Sequence, residues 1–219
     1  MTRRSAAAPA SHQASPGRVL PAAFYARPTL EVAADLPGKL LVHRSPAGET
    51  SGIIVEVEAY IGEDDPACHA APGPTRRNRP LYGPPGRAYV YLNYGIHALL
   101  NAVTEEEGSP AAILIRALEP IGGVPLMRRR RRRAGKGVRA LAPDAPDLDL
   151  CRGPGNLTRA MGISLDDNEA DLTGRRLCIV DGPAPSGEVI WSPRIGIRVG
   201  TERLWRCYVA GSRAVSGGR

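Results

Sequence analysis

The stretch Gly52-Ile53-Ile54-Val55-Glu56-Val57-Glu58-Ala59-Tyr60 is the clearest strand in this sequence. It is rich in β-branched residues, and no proline interrupts it. A period of two then assigns the side chains to two faces: Ile53, Val55, Val57 and Ala59 on one, and Ile54, Glu56, Glu58 and Tyr60 on the other. The stretch therefore predicts a mostly apolar strand that carries two carboxylates and a phenol on one face.

The rest of the chain reads as short strands with few helices. Further strands are predicted at residues 39–43, 88–93, 97–103, 111–118, 176–180, 194–199 and 205–209. Helices are predicted at residues 28–36, 125–134 and 154–161, each of which opens at a proline. Because hairpins outnumber βαβ units, we expect a single α+β domain with a mainly antiparallel sheet.

Length and composition bound the organisation of the chain. Its 219 residues suffice for one domain, and 42% hydrophobic residues are typical of a globular protein. Residues 1–20, rich in Ala, Ser and Pro, are predicted to be a disordered tail, and residues 21–212 the folded domain. No apolar run approaches the roughly 20 residues of a membrane span, so no membrane association is expected. The absence of an apolar interface stripe favours a monomer.

Positive charge is concentrated locally. The net charge is +7, yet residues 128–139 alone contain seven Arg and one Lys and no acid. Such a cluster points to a polyanion partner, and we expect Arg128, Arg129 and Arg130 to contact the phosphate backbone of a nucleic acid. On a helix, the six arginines of residues 128–133 would cover every face, so several must be exposed. A codon bias toward arginine is the alternative explanation, because only two lysines occur.

Cysteine usage argues against a metal site. Cys68, Cys151, Cys178 and Cys207 are far apart and form no CxxC pair, so neither a metal nor another cofactor is expected. The N-terminus lacks the apolar core of a signal peptide, which makes a reducing cytosol the default location. An organellar transit peptide stays open as an alternative, because the first residues are basic, contain Ser and lack acids.

Glu56 and Glu58 share one predicted strand face and lie about 7 Å apart at Cα, since a strand rises about 3.3 Å per residue. A carboxylate held beside apolar and aromatic groups can have a raised pKa and act as a base toward water. The plainer alternative is an exposed face with a solvated pair of glutamates. Taken by itself, the pattern favours that alternative.

Tyrosines and arginines are concentrated between residues 60 and 104, and residues 66–104 contain no acid. Aromatic rings stack on nucleobases and guanidinium groups contact phosphate, so this stretch suits an extruded base. Arg76, Arg77 and Arg79 are therefore expected to contact the phosphate backbone of a nucleic acid. Packing of the tyrosines against a sheet is the alternative. Tyr94, in the turn at residues 93–95, is expected to be exposed and able to wedge into a base stack.

Arg116 lies in the apolar strand predicted at residues 111–118. A buried guanidinium is costly unless it meets an anion or hydrogen-bond acceptors. It is therefore predicted to pair with Glu58 or Glu56, or to bind a phosphate.

Six motifs occur in order over about residues 24–210. They are residues 52–60, His69, Thr75-Arg76-Arg77-Asn78-Arg79, Tyr89-Val90-Tyr91-Leu92-Asn93-Tyr94-Gly95 with Asn101, Arg116-Ala117-Leu118-Glu119-Pro120, and Gly153-Pro154-Gly155-Asn156-Leu157. Together they resemble the alkyladenine (3-methylpurine) DNA glycosylase family. The resemblance implies a curved, mainly antiparallel sheet with a protruding β-hairpin. It also implies a monofunctional enzyme that starts base-excision repair on double-stranded DNA containing damaged purines.

The resemblance implies a role for each matching position. Glu58 would be the catalytic base, supported by Arg116 as the second catalytic residue. Tyr94 would intercalate into the duplex and fill the gap left by the flipped nucleotide. The substrate-binding pocket for the flipped base would be lined by Tyr60, His69, Tyr91 and Asn101.

The implied reaction is hydrolysis of the N-glycosidic bond of an alkylated or deaminated purine after the nucleotide has been flipped out. Cationic alkylpurines stack on tyrosine faces and leave readily. Strand cleavage would need an amine for a Schiff base, and neither Lys39 nor Lys136 matches a catalytic position, so no lyase activity is expected. The expected location is the bacterial cytoplasm with its nucleoid, or an organelle or nucleus in a eukaryote.

Two rival functions stay open from the residues alone. A non-catalytic nucleic-acid binder would need only the arginines and tyrosines, with Glu58 incidental. An O-glycoside hydrolase would use Glu56 and Glu58 as paired carboxylates on either side of a sugar bond. Residues i and i+2 of a strand point the same way, which disfavours the second rival.

Overall fold

A computed structural model describes residues 17–134 and 137–217. Its helices are α1 (Ala22–Tyr25), α2 (Thr29–Asp35), α3 (Val124–Arg132) and α4 (Pro154–Met161). Its strands are β1 (Leu40–Ser45), β2 (Gly48–Ile61), β3 (Ala88–Asn93), β4 (His97–Val103), β5 (Ala111–Gly122), β6 (Leu177–Val180), β7 (Val189–Ser192) and β8 (Arg206–Val209). Short 3-10 turns occupy Arg79–Tyr82, Asp147–Asp149 and Leu165–Asp167. The α+β class is confirmed.

The long strand β2 is the centre of one curled antiparallel sheet. The strands pair in the order β3-β4-β5-β2-β1-β6, and β7 joins through β8. One edge of β2 pairs with β5. The other edge pairs first with β1, over residues 48–53, and then with β8, over residues 56–58. The sheet therefore divides near Val55, just before the two glutamates.

The pairing of β2 with β5 is irregular at the same point. Val55 has no directly paired residue on β5, and Arg116 is likewise skipped on the other strand. Bulges of this kind re-aim side chains and are frequent beside active sites. The irregularity thus sets the direction of Arg116 relative to the glutamates.

The bulge also corrects one expectation about β2. Ile54 packs in the main core with Val57 and Ala59, whereas Val55 packs in a separate cluster with Val209. The prediction that Ile54 shares the face of the glutamates is therefore wrong, because the extra residue shifts the alternation.

Helices cover one face of the sheet. Leu36, Met127 and Leu157 from the helical side join Ile115 of the sheet in the main core, and each is fully buried. Burial of such a side chain contributes about 1.5–3 kcal/mol relative to exposure. Tyr89 lies in a second, smaller cluster. Since its neighbours Ala88 and Val90 belong to the main core, this cluster lies on the opposite face.

Most predicted elements are found. The strands at residues 88–93 and 97–103 and the helix at 154–161 have the predicted bounds. The strand predicted at residues 194–199 is wrong: these residues form a loop, and the strand lies earlier, at β7. Pro193 has no N–H for a ladder, and Gly196 has a φ of 79° that strands do not use.

The start of the chain is described from Gly17 onward. Residues 1–16 of the predicted tail, and Lys136, lie outside the described residues. Leu20 is buried and its N–H donates to the carbonyl of Ile179 over 2.9 Å. The packed part of the chain therefore begins before residue 21. None of the helices in the described ranges has the length and apolar character needed to cross a membrane.

Candidate active site

Glu58 is a fully buried carboxylate on β2 with three hydrogen-bond donors. Oε2 accepts from the Tyr60 hydroxyl over 2.9 Å and from Nη1 of Arg116 over 3.0 Å. Oε1 accepts from the backbone N–H of Ile195 over 2.6 Å. These three donors fix both oxygens of the side chain in place. Its two oxygens offer about four lone-pair sites, so one is left for a further donor such as water.

Glu56 is equally buried and also has three hydrogen-bond donors, one of which is shared with Glu58. It accepts from Nε of Arg116 over 3.2 Å, from Nε of Arg206 over 2.7 Å and from the N–H of Ser216 over 2.7 Å. The two glutamates are therefore not a solvated pair. Both glutamates bind the same guanidinium, which argues against carboxylates placed on either side of a sugar bond.

Arg116 joins the two glutamates, as the sequence predicted for one or the other. Its side chain is mostly buried on β5. Burial alone would lower the pKa of this guanidinium, but the charges of Glu58 and Glu56 outweigh it and raise the pKa. Arg116 is therefore a permanent cation that offsets part of the negative charge of the glutamate pair.

A cavity of about 320 Å³ lies next to the hydrogen-bond donors of Glu58. Glu58 is not itself part of its wall, but all three of its donors, Tyr60, Arg116 and Ile195, are. The volume lies in the range of small-molecule pockets. The remaining wall residues that the sequence singled out are His69, Tyr89, Tyr91, Tyr94 and Asn101.

Aromatic rings form one side of the cavity. The ring centroids of His69 and Tyr91 are 4.4 Å apart, and those of Tyr89 and Tyr91 are 5.3 Å apart. Nδ1 of His69 and the Tyr89 hydroxyl are hydrogen-bonded at 2.9 Å. Asn101 donates from Nδ2 to the carbonyl of Tyr89 over 3.0 Å, so it braces this wall from β4.

Burial shifts the pKa values of these groups further toward their uncharged forms. It raises the pKa of Tyr89 and of Tyr91 to about 12, and it raises the pKa of Tyr60 further, helped by the charge of Glu58. Burial, followed by the charge of Arg77, lowers the pKa of His69. The pocket therefore presents neutral rings, which suits a cationic purine.

The loop after β7 closes the site, and sequence reasoning missed its role. Arg194 is a buried residue that forms an ion pair with Asp65, with Nη2 2.8 Å from Oδ1. Its guanidinium lies 4.6 Å from the ring centroid of Tyr60. Together these contacts hold the loop so that the next residue, Ile195, donates to Glu58. Pro193 and Gly196 were the signals for a loop at this point.

Tyr94 lies at the turn between β3 and β4 and is 85% exposed, as expected. The N–H of Ile96 donates to the carbonyl of Asn93, which closes the turn. Tyr94 has a φ of 50° and Gly95 of 69°, the positive values of a type I′ hairpin turn. A tyrosine in this region is uncommon, and such strain is often kept where a side chain has a function.

Arg76, Arg77 and Arg79 are exposed on one loop beside the cavity. Buried Asn78 fixes this loop by donating to the carbonyls of His69 and Gly73. Arg77 donates to the carbonyl of Leu92 and lies 5.7 Å from the ring centroid of Tyr91. Their contact with DNA remains a prediction.

The three arginines of α3 assigned to the DNA backbone differ in the structure. Arg129 is exposed. Arg128 pairs with Asp147 and donates to a loop carbonyl, whereas Arg130 donates to the carbonyl of Met161 over 2.7 Å. Two of the three side chains therefore already have partners within the fold. Contact with phosphate remains a prediction for all three.

The described part of the chain holds no group of three or more His, Cys, Asp or Glu side chains that could bind a metal. All four cysteines are buried and free.

Comparison with known proteins assigns the family. The model of the methylpurine-DNA glycosylase (MPG) family matches residues 23–213. The chain belongs to this family. It is 52% identical over 180 residues to a protein of Rubrobacter xylanophilus, which covers 82% of this chain and 87% of that one. It is 48% identical over 202 residues to a protein of Methanocella arvoryzae, which covers 90% and 96%. Both relatives carry the name 3-methyladenine DNA glycosylase.

Membership confirms the expected family and enzyme class: the protein is a DNA glycosylase, a hydrolase whose substrate is DNA. It also favours the enzyme over a non-catalytic binder. In this glycosylase, Arg116 and the four residues predicted for the base pocket line one cavity, and Glu58 is hydrogen-bonded to its wall. The arginines of α3 lie outside that wall. The roles of these residues in catalysis and binding remain predictions.

Proposed function

We propose that this glycosylase removes 3-methyladenine-type purines from duplex DNA by water attack, with Glu58 as the general base. The observation that carries the proposal is the position of Glu58: a buried carboxylate whose three donors all line an aromatic cavity. The names of its relatives support the lesion type. Entry into the cavity requires that the nucleotide leaves the base stack, at a cost of a few kcal/mol that is lower for a damaged pair.

Binding would depend on the rings and on Tyr94. A cationic alkylpurine stacks between Tyr60 and the His69–Tyr91 wall, where cation–π attraction favours it over a neutral purine. Neutral His69 avoids repulsion of that cation. Tyr94, exposed at its turn and also part of the cavity wall, would take the place of the flipped base in the duplex.

The chemical step would use Glu58 in two ways. It takes a proton from water while the water oxygen bonds to C1′, and the C1′–N bond breaks with its electron pair going to the purine. An N3-alkylated cation leaves as a neutral base. The Glu58 charge also stabilises the oxocarbenium-like transition state, and Arg116 and Tyr60 hold the carboxylate in place. The products are a free base and an abasic site.

The enzyme would stop at the abasic site. Lys39 forms a salt bridge with Asp181, with Nζ 2.6 Å from Oδ1, and it is not part of the cavity wall. Lys136 lies outside the described residues. We further propose that the protein acts as a monomer and works in the compartment that holds the DNA.

Release of bases from methylated duplex DNA tests this proposal. Wild type and the exposed-site control Glu106→Gln should release free 3-methyladenine and leave strands that break only after alkali. Binding without release of any base would support a non-catalytic binder and contradict the proposal. Strand breaks without alkali would contradict the monofunctional step.

A further inference from the structure

A second cavity, of about 520 Å³, lies next to the candidate active site. The same two elements line both cavities. The β3–β4 hairpin contributes Tyr94 to the first and His97 to the second, and α4 contributes Pro154 to the first and Asn156 to the second. A group bound in the second cavity would therefore be a near neighbour of a nucleotide held in the first.

Arg131 on α3 lines this second cavity and is only 5% exposed. Among the described residues, no carboxylate lies within ion-pair distance of its guanidinium, and its Nε has no hydrogen-bond partner. The charge of Asp149 acts on it from farther away, and that carboxylate is paired with Arg152. Two other arginines of the helix do have side-chain partners: Arg128 binds Asp147, and Arg130 donates to the carbonyl of Met161. A buried guanidinium without a directly paired anion is unfavourable, so the cavity is suited to binding an anion from outside the fold.

The other polar groups of the cavity also suit an anion. Nδ1 of His97 is buried and has no partner among the described residues. Burial, followed by the charges of Arg159 and Arg131, lowers the pKa of His97, so both arginines act on this ring. Arg139 adds a second cation to the wall. Asp149 is the acid of the wall, and its carboxylate is 3.5 Å from Nη1 of Arg152.

We propose that this cavity binds a phosphate group of the DNA strand beside the flipped nucleotide, with Arg131 as its buried partner and Arg139 at its edge. The proposal rests on the proposed function for the neighbouring cavity. A guanidinium matches the geometry of phosphate oxygens and forms two parallel hydrogen bonds with them. Phosphate contacts fix the register of a protein on DNA, so this site would set which nucleotide faces the active-site cavity.

Thermal unfolding in sodium phosphate and in sodium chloride at equal ionic strength tests the anion site. Phosphate stabilises proteins in general, so the comparison is between variants. For each protein we compare Tm in phosphate with Tm in chloride. We expect this increase to be larger for wild type and the exposed control Arg175→Met than for Arg131→Met and Arg139→Met. Arg139 is exposed, so its variant should fold even if Arg131→Met does not. Equal phosphate effects in all four proteins would overturn the anion site.

The salt dependence of binding to an undamaged duplex tests the source of the phosphate. Loss of one phosphate contact lowers the slope of log Kd against log salt by about 0.9. We expect that change for Arg139→Met, and for Arg131→Met if it folds, but not for Arg175→Met. Unchanged slopes together with a lost phosphate effect would mean a site for free phosphate and would overturn the DNA assignment. Neither readout needs base release, so failure of the proposed function would be seen separately.

Discussion

Nη1 of Arg116 lies 3.0 Å from Oε2 of Glu58, and both side chains are buried. The contact depends on an irregularity of the backbone, because Arg116 is skipped in the pairing of β5 with β2. The same guanidinium reaches Glu56 through Nε. One cation therefore holds two carboxylates in a fixed geometry behind the aromatic cavity.

Replacement of Arg116 by Met should lower the free energy of unfolding by about 3–5 kcal/mol, because two buried carboxylates lose a shared partner. Urea unfolding measures this loss, and Arg116→Lys should lose less because it keeps the charge. The exposed-site control Arg175→Met should be within about 0.5 kcal/mol of wild type. A stable Arg116→Met protein would show that the glutamates do not need this cation.

The ion pair between Arg194 and Asp65 should behave as a unit. Arg194→Met removes the closer of the two arginines that pair with buried Asp65 and leaves Arg203, whose Nη1 is 3.9 Å from Oδ1. The change should cost about 3–5 kcal/mol in the free energy of unfolding. The double variant with Asp65→Asn should cost clearly less than the sum of the two single changes, as measured by urea unfolding. Additive losses would mean that the two side chains do not interact in solution.

Tyr94→Ala should change activity without changing stability. The side chain is 85% exposed, so the free energy of unfolding should move by no more than about 0.5 kcal/mol. Excision from duplex DNA should fall, while excision from single-stranded DNA, which needs no gap to be filled, should not. Leu92→Ala, at an exposed position of the same hairpin, is the matched control. An equal loss on both substrates would argue against a wedge.

His69 should make stability depend on pH. Its pKa in the folded protein lies below the ordinary value of 6.5, because of burial and then the charge of Arg77. As the pH falls through 6.5, the unfolded chain takes up this proton first, so the free energy of unfolding decreases. Denaturant unfolding between pH 7.5 and pH 5.5 should show a shallower decrease in His69→Gln than in wild type. The same pH dependence in both proteins would contradict the shift.

Much of the fold follows from local sequence. Period-two alternation and turn residues locate β3 and β4, and the proline at the start of α4 marks its first turn. The bulge could not be predicted, because nothing in Ile54-Val55-Glu56 distinguishes a skipped residue from a paired one. Its position depends on where β2 changes partner from β1 to β8, which is a property of the whole sheet.

The site could be predicted only in part for a related reason. Glu58 and Tyr60 are neighbours on one strand, so local pattern places them together. An arginine within the apolar strand at residues 111–118 predicted that Arg116 pairs with one of the glutamates, and the family resemblance added His69. Ile195 and Asp65 act through a backbone N–H and a buried ion pair. Neither contact can be predicted from residue type or spacing, because both depend on how a distant loop packs.

Single-turnover excision of 3-methyladenine by Glu58→Gln tests the central claim most directly. The measurement compares this variant with wild type and Glu106→Gln at enzyme concentrations that bind all of the duplex. Removal of a general base should slow the chemical step by about 10²–10⁴-fold while DNA affinity stays near that of wild type. A Glu58→Gln rate close to the wild-type rate at full binding would contradict the role of Glu58.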